Sequence, residues 1–169
     1  RVRLIDRMLG EALWNPHGHN VREFKLGTAG IADYVLWGSD GLPLAVIEVK
    51  KTSRDPRVGQ KQAQDYAEAL EKLYGRLPVI FYSNGVETYL WDKARGYPPR
   101  VVSGFYGRDE LELMIQRRAT ALPLADVDIN QDIADRYYQE TAIRKFADRL
   151  EQHQRRGLLV MATGTGKTR

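Results

Sequence analysis

The sequence predicts an α/β fold, and three observations carry that prediction. Apolar runs of strand length at residues 31–37 and 44–49 flank a polar stretch holding Gly38, Asp40, Gly41 and Pro43, which is how a β-hairpin reads in sequence. A second pair of runs, 78–83 and 86–91, is joined by Asn84-Gly85, the strongest short-range turn signal. Between the pairs, Ala63, Ala67, Leu70 and Leu73 recur at helical spacing, so residues 58–74 read as a helix ended by Gly75 and Pro78.

The remaining elements follow in order. Leu4, Ile5, Met8, Leu9, Ala12 and Leu13 form the apolar stripe of a first helix over residues 2–14. A turn at 15–20 holds His17 and His19, for which no third metal ligand has sensible spacing. Residues 21–26 lead as a strand into Gly27 and Gly30; these glycines either let backbone approach a ligand closely or make a plain turn between strands. A basic loop, 51–57, follows the first hairpin, and Lys51 is a structural or phosphate contact there. Tyr82, Tyr89 and Trp91 on the second hairpin either stack on bases or pack in the core. Residues 93–107 form a basic loop, a candidate DNA-facing edge, and 109–118 a helix with acids first and arginines last, as its dipole prefers. Residues 119–135 lack periodicity and place a boundary. The expected division is therefore 1–120, a linker at 121–135, and 136–169, whose opening helix carries Ala142, Ile143, Phe146, Ala147 and Leu150.

Bulk properties exclude several classes. The chain has 169 residues, 43% hydrophobic and 28% charged, an ordinary globular composition. With no Cys there is no disulfide scaffold, thiol nucleophile or zinc-thiolate site, and a reducing, cytoplasmic setting is expected. No apolar run reaches the roughly 18 residues needed to cross a bilayer, so no membrane partner is expected. The net charge of +4 suits a polyanionic partner without requiring one. A start at Arg1 without Met and a stop at Arg169 inside a motif suggest a fragment.

Three charges interrupt the first hairpin. If it folds symmetrically, Asp33 falls opposite Glu48, Val35 opposite Val46, Trp37 opposite Leu44 and Ile31 opposite Lys50. Side chains alternate with period two, so Asp33, Glu48 and Lys50 share one face, while Ala32, Tyr34, Leu36, Ala45, Ile47 and Val49 line an uncharged, buried one. Two carboxylates about 4 Å apart repel by roughly 4 kcal/mol at an effective dielectric near 20. A divalent cation bridging both removes that cost, and hard ions such as Mg²⁺ take carboxylate, carbonyl and water ligands. Lys50 then places positive charge beside the ion, where a phosphate or an attacking water would sit.

An Asp followed on the next strand by Glu-x-Lys resembles the core of PD-(D/E)xK nucleases. The resemblance implies a restriction-endonuclease-like mixed sheet flanked by helices. It also implies a catalytic set of Asp33, Glu48 and Lys50: the two acids hold Mg²⁺, and the Lys steadies the nucleophile or the developing phosphorane charge. In such nucleases an acid from the first helix often leans toward the metal, and Glu11 is the matching position; its other reading is a carboxylate in water. Gln62 and Tyr66, four apart on the helix after Glu-x-Lys, are similar to an accessory motif of the restriction subunit of type I restriction enzymes and of RecB-type nucleases, which implies a role in positioning DNA. Gln60 and Gln64 form a competing pair at the same spacing. The run from Tyr82 to Thr88 resembles the same subunit.

Near the end, the apolar segment 158–161 runs into Ala162-Thr-Gly-Thr-Gly-Lys-Thr168. A strand leading into Gly-x-Gly-Lys-Thr is a phosphate-binding loop: bare backbone at Gly164 and Gly166 cradles phosphates, Lys167 reaches the β and γ oxygens, and Thr168 holds Mg²⁺ of a bound ATP. Met161 stands where the general pattern has its first Gly, a departure shared with superfamily-two helicases. That resemblance implies the first helix, strand and P-loop of a RecA-like motor, with Gln139 as the adenine-reading residue; alternatively, Gln139 is a side chain of the helix start. No Asp-Glu motif follows, so this chain by itself is expected not to hydrolyse ATP.

The order of these features resembles the restriction (R) subunit of type I restriction-modification enzymes. The resemblance implies a subunit that works with methyltransferase (M) and specificity (S) subunits, moves double-stranded DNA using ATP and cuts it with Mg²⁺. Two other readings fit the same residues: a nuclease-helicase of another restriction or repair system, and a catalytically silent DNA-docking domain on a helicase.

Overall fold

The computed structural model describes residues 2–19, 21–154, 156–162 and 164–166. It forms two compact units, Arg1–Ala119 and Thr120–Arg169.

The first unit is built on a six-stranded mixed sheet in the order β1 (Arg22–Lys25), β2 (Ile31–Trp37), β3 (Pro43–Val49), β4 (Val79–Ser83), β5 (Thr88–Trp91), β6 (Arg100–Val102). Neighbours are antiparallel except β3 and β4, which run parallel. A parallel pair needs a long crossover, and helix α2 (Gln60–Tyr74) supplies it.

Helices cover both faces, which is why β3 is buried along its whole length. On one face Ile5 and Leu9 of α1 (Val2–Glu11) and Leu111 of α3 (Arg108–Thr120) pack on Tyr34, Leu36, Ile47, Val49, Phe81 and Leu90. On the other face Ala63, Tyr66, Ala67 and Leu70, at the i, i+3, i+4, i+7 positions of α2, pack on Val35, Val46, Ile80 and Tyr82. Leu73, expected in that stripe, is 63% exposed, and Tyr66 takes its share of the interface. Ala32, expected beside Tyr34 and Leu36, is instead buried among the residues against α2, where its β1 partner Phe24 also packs.

Several expected boundaries shift for identifiable reasons. The first helix stops at Glu11 because Leu13 turns left-handed, φ 62°, and the Trp14 amide donates to Leu9 O at 2.9 Å. That closure swings Trp14 inward, where its indole N–H donates to Tyr106 O at 2.8 Å, and leaves Leu13 94% exposed. The Asn84-Gly85 turn has four residues, not two: Ser83 pairs with Thr88, and Asn84 Oδ1 accepts from the amides of both Val86 and Glu87 at 2.9 Å. Within the expected basic loop 93–107, residues 100–102 form the edge strand β6. Trp37 pairs with Pro43 instead of Leu44, through an irregularity after Leu36.

In the second unit α4 (Tyr137–Glu151) is the main element. The expected strand at 158–161 is absent. Among the described residues no strand of this unit lies beside it to share hydrogen bonds, and Leu158 and Val160 are 90% and 83% exposed. Among the described residues no helix is long and apolar enough to cross a membrane.

Candidate active site

The antiparallel register of β2 and β3, with Val35 opposite Val46 and Tyr34 opposite Ile47, makes Asp33 and Glu48 the next facing positions. There the strand ladder gives way to a side chain: the Val49 amide donates to Asp33 Oδ2 at 2.7 Å. The Asp33 carboxylate therefore lies against the peptide linking Glu48 to Val49. Glu48 is only 4% exposed, and its Oε1 accepts from Lys50 Nζ at 2.7 Å. Lys50 is fixed at its backbone as well, its amide donating to Ser83 O at 2.8 Å beyond the last paired residues of β3. A buried carboxylate beside a second one is costly unless compensated. The Lys50 ammonium and the Val49 amide provide that compensation within the protein itself.

Lys50 Nζ also donates to Gln62 Oε1 at 2.6 Å, and Gln62 Nε2 donates to the Tyr66 hydroxyl. One turn of α2 thus continues a hydrogen-bonded series that runs Glu48, Lys50, Gln62, Tyr66. The competing glutamines are engaged elsewhere. Gln60 Oε1 accepts from the Tyr82 hydroxyl at 3.3 Å, and Gln64 donates to Glu68, which pairs with Lys93.

Tyr82 stands next to Glu48 on β4 and stacks on Tyr89, ring centres 5.0 Å apart and 9° from parallel. Burial pushes the Tyr82 phenol up to about 12, with the neighbouring Tyr89 adding to the shift. Tyr82 packs toward α2, so the core reading holds for it, while Tyr89 and Trp91 are half-buried at the edge of the same cluster. On the approach to the site, Arg57 and Asp55 form a 2.6 Å ion pair that holds the Asp55 carboxyl below the usual range and the Arg57 guanidinium above it.

Glu11 is not brought to this site. It is exposed and pairs with Arg7 at 3.7 Å, on a helix whose buried face joins the opposite side of the sheet. The acid of that helix tied into the sheet is Asp6, which accepts from the Tyr34 hydroxyl at 2.8 Å and pairs with Arg22 at 2.9 Å. Burial, and then the bond to Asp6, raise the Tyr34 phenol to about 12. His17 and His19 are exposed, and among the described residues no three His, Cys, Asp or Glu are grouped to hold a metal. Two carboxylates in an all-oxygen setting nonetheless suit Mg²⁺, which keeps several waters and is often held by one or two acids plus substrate phosphates.

Two glycines pack closely against residues of this site. Gly30, φ 109°, approaches the Tyr66 ring rather than a ligand: a Cβ there would stand 3.3 Å from its hydroxyl oxygen. Gly59, at the end of the 3-10 turn Pro56–Gly59, faces Glu48 and Lys50. Gly30 reads in sequence as a turn or ligand-approach glycine and Gly59 has no such signal; the side chain each avoids is distant along the chain.

In the second unit the structure brings Gln139 to the glycine-rich loop. Its Nε2 donates to Thr165 O at 3.0 Å and lies where a Cβ on Gly166 would be, while Gly164 and Gly166 take φ of 78° and 74°. Lys167 and Thr168 lie outside the described residues.

The six-stranded mixed sheet flanked by helices is of the PD-(D/E)xK (restriction-endonuclease-like) fold class, and the second unit carries the glycine-rich loop expected at the start of a helicase domain. Residues 19–98 match the family model for the type I restriction enzyme R protein N terminus, and residues 132–169 match that for the type III restriction enzyme res subunit. The type I restriction enzyme EcoAI endonuclease subunit of Escherichia coli is 32% identical over 154 residues, 83% of this chain. The chain spans 18% of that relative's length. A solved fragment assigned to the HsdR subunit of a type I restriction enzyme from Vibrio vulnificus YJ016 is 33% identical, with a TM-score of 0.47 over 82% of this chain and 26% of that one. Over most of its length the chain is therefore similar to the N-terminal part of the R protein of type I restriction enzymes.

Proposed function

We propose that the first unit is the Mg²⁺-dependent endonuclease domain of a cytoplasmic R subunit. The subunit cuts double-stranded DNA together with methyltransferase and specificity subunits, and the second unit opens its ATP-driven translocase. The observation that carries this reading is the placement of Lys50 Nζ, 2.7 Å from Glu48 Oε1 and 2.6 Å from Gln62 Oε1, next to Val49, whose amide holds the Asp33 carboxylate.

Asp33 and Glu48 are the residues that would hold the ion, which when bound lowers the pKa of a coordinated water and neutralises phosphate charge. Lys50 has a separate task. Its ammonium, held between Glu48 and Gln62, would offset the negative charge that grows as water attacks phosphorus and the bond to the leaving sugar oxygen breaks. Gln62 fixes the Lys50 rotamer, and Tyr66, 4% exposed, fixes Gln62. Gln139 steadies the loop that takes ATP phosphates, and Gly164, Gly166, Lys167 and Thr168 are the residues that would hold ATP with its Mg²⁺ in the complete motor.

Single Asp33→Ala, Glu48→Ala and Lys50→Ala changes in the full subunit, assembled with its partners, are expected to abolish DNA cleavage while ATP hydrolysis continues. Cleavage at the wild-type rate by any of the three removes that residue from the mechanism. If the intact subunit never nicks DNA and calorimetry detects no Mg²⁺ or Mn²⁺ at the acids, the domain docks DNA without cutting it.

A further inference from the structure

We propose that Gly59 is a positioning residue of the nuclease site, a deduction that rests on the function proposed above: its missing side chain lets the turn before α2 seat against Glu48 and Lys50. Gly59 is buried and caps α2 at φ −84°, ψ −8°. Every L-residue adopts that conformation, so backbone freedom does not require glycine here. Capping does not require it either, since Ser, Asp or Asn serves at least as well at a helix start and Gly59 contributes no side-chain cap.

Space does require it. A Cβ at position 59 would stand 3.1 Å from Glu48 Cγ, 3.1 Å from Lys50 Cε and 3.3 Å from Lys50 Cγ, where carbon contacts settle at about 3.5–4.0 Å. Neither neighbour is free to step aside. Glu48 is 4% exposed with its carboxylate on Lys50, and the Lys50 ammonium is held between Glu48 and Gln62. A methyl group at position 59 therefore moves the acid and the ammonium together, on the face where the ion and the phosphate would meet.

The distances call for a shift of a few tenths of an ångström, and a misplacement of about 1 Å can cost a hundredfold in rate. Gly59→Ala in the full subunit, assembled with its partners, should therefore cut DNA roughly 10–100-fold more slowly at saturating DNA. DNA affinity and ATPase should be unchanged, and the Mg²⁺ concentration for half-maximal cutting should be higher. A role confined to folding would not produce that split. The second measurement is thermal: Gly59→Ala should lower Tm less in a Lys50→Ala background than in the wild type, because part of the opposing stem is gone. If Gly59→Ala alone does not fold, the Lys50→Ala background should restore folding. Wild-type cutting by Gly59→Ala while Lys50→Ala is dead overturns the positioning role alone, as does an equal thermal cost in both backgrounds. Wild-type cutting by Lys50→Ala overturns the nuclease reading itself.

Discussion

Lys50 is constrained at both sides of its ammonium, and that single fact separates two roles for the residues around it. Gln62 could act on DNA or on Lys50, and the geometry favours Lys50, whose Nζ lies 2.6 Å from the amide oxygen. Gln62→Ala is then expected to lower the single-turnover cleavage rate at saturating DNA by about tenfold or more, the scale of one charge-assisted hydrogen bond, with DNA affinity little changed. A variant that weakens DNA binding but cuts normally once bound would return Gln62 to a direct DNA role. Tyr66→Phe acts one step further away and should cost only a few-fold. Gly30 tests the same chain of contacts from behind. Gly30→Ala adds strain at φ 109° and a 3.3 Å contact with the Tyr66 hydroxyl, so a loss of stability on the order of 1–3 kcal/mol is expected in urea unfolding. A variant as stable as the wild type would show that the loop relaxes freely.

At the scale of elements, alternation and helical spacing were legible wherever one local pattern decided the structure. The Val35 and Val46 pairing, the buried face of β3, and α2 with its stop at Gly75 all follow from residues close in sequence. What was not legible depended on distant partners. Asp6 and Glu11 both lie on α1, and only the position of the Tyr34 hydroxyl decides that Asp6 is the one drawn in. Residues 100–102 become a strand because β5 offers an open edge. Asn84-Gly85 signals a turn, yet the Asn84 side chain captures two amides and lengthens it to four residues. The end of α1 was missed because Leu is a poor left-handed residue, and Leu13 accepts that conformation only so that Trp14 can bury its ring. A left-handed Leu costs roughly 1–2 kcal/mol, part of which the flexibility of glycine in the unfolded chain would cancel. Since Leu13 is 94% exposed, Leu13→Gly should raise unfolding stability by up to about 1 kcal/mol. A lower midpoint in urea would mean that the Leu13 side chain makes a contact that matters.

Across the first unit as a whole, the sheet separates two polar systems by one layer of buried strand. The Asp6, Arg22, Tyr34 group lies on the α1 side, and the Glu48, Lys50, Gln62, Tyr66 group with Tyr82 lies on the α2 side. Both contain a buried phenol, and together these phenols set the alkaline limit of the fold. Tyr34 and Tyr82 ionise near 10 when unfolded and at about 12 when folded, chiefly because burial opposes the phenolate. A group whose folded pKa is raised contributes its full stability below the unfolded value and loses it as pH climbs to the folded one. The window is therefore pH 10 to 12, with each tyrosine steepening the decline by up to about 1.4 kcal/mol per pH unit. On the acid side the lowered carboxyls of Asp40 and Asp55 sit in exposed ion pairs, so their loss below pH 4 should be far shallower. Replacing both phenols, Tyr34→Phe with Tyr82→Phe, should lower stability near neutral pH by about 1 kcal/mol for each hydrogen bond removed and flatten the curve between pH 10 and 12. Urea melts across that range decide the matter: an alkaline decline as steep in the double variant as in the wild type would assign it to other groups.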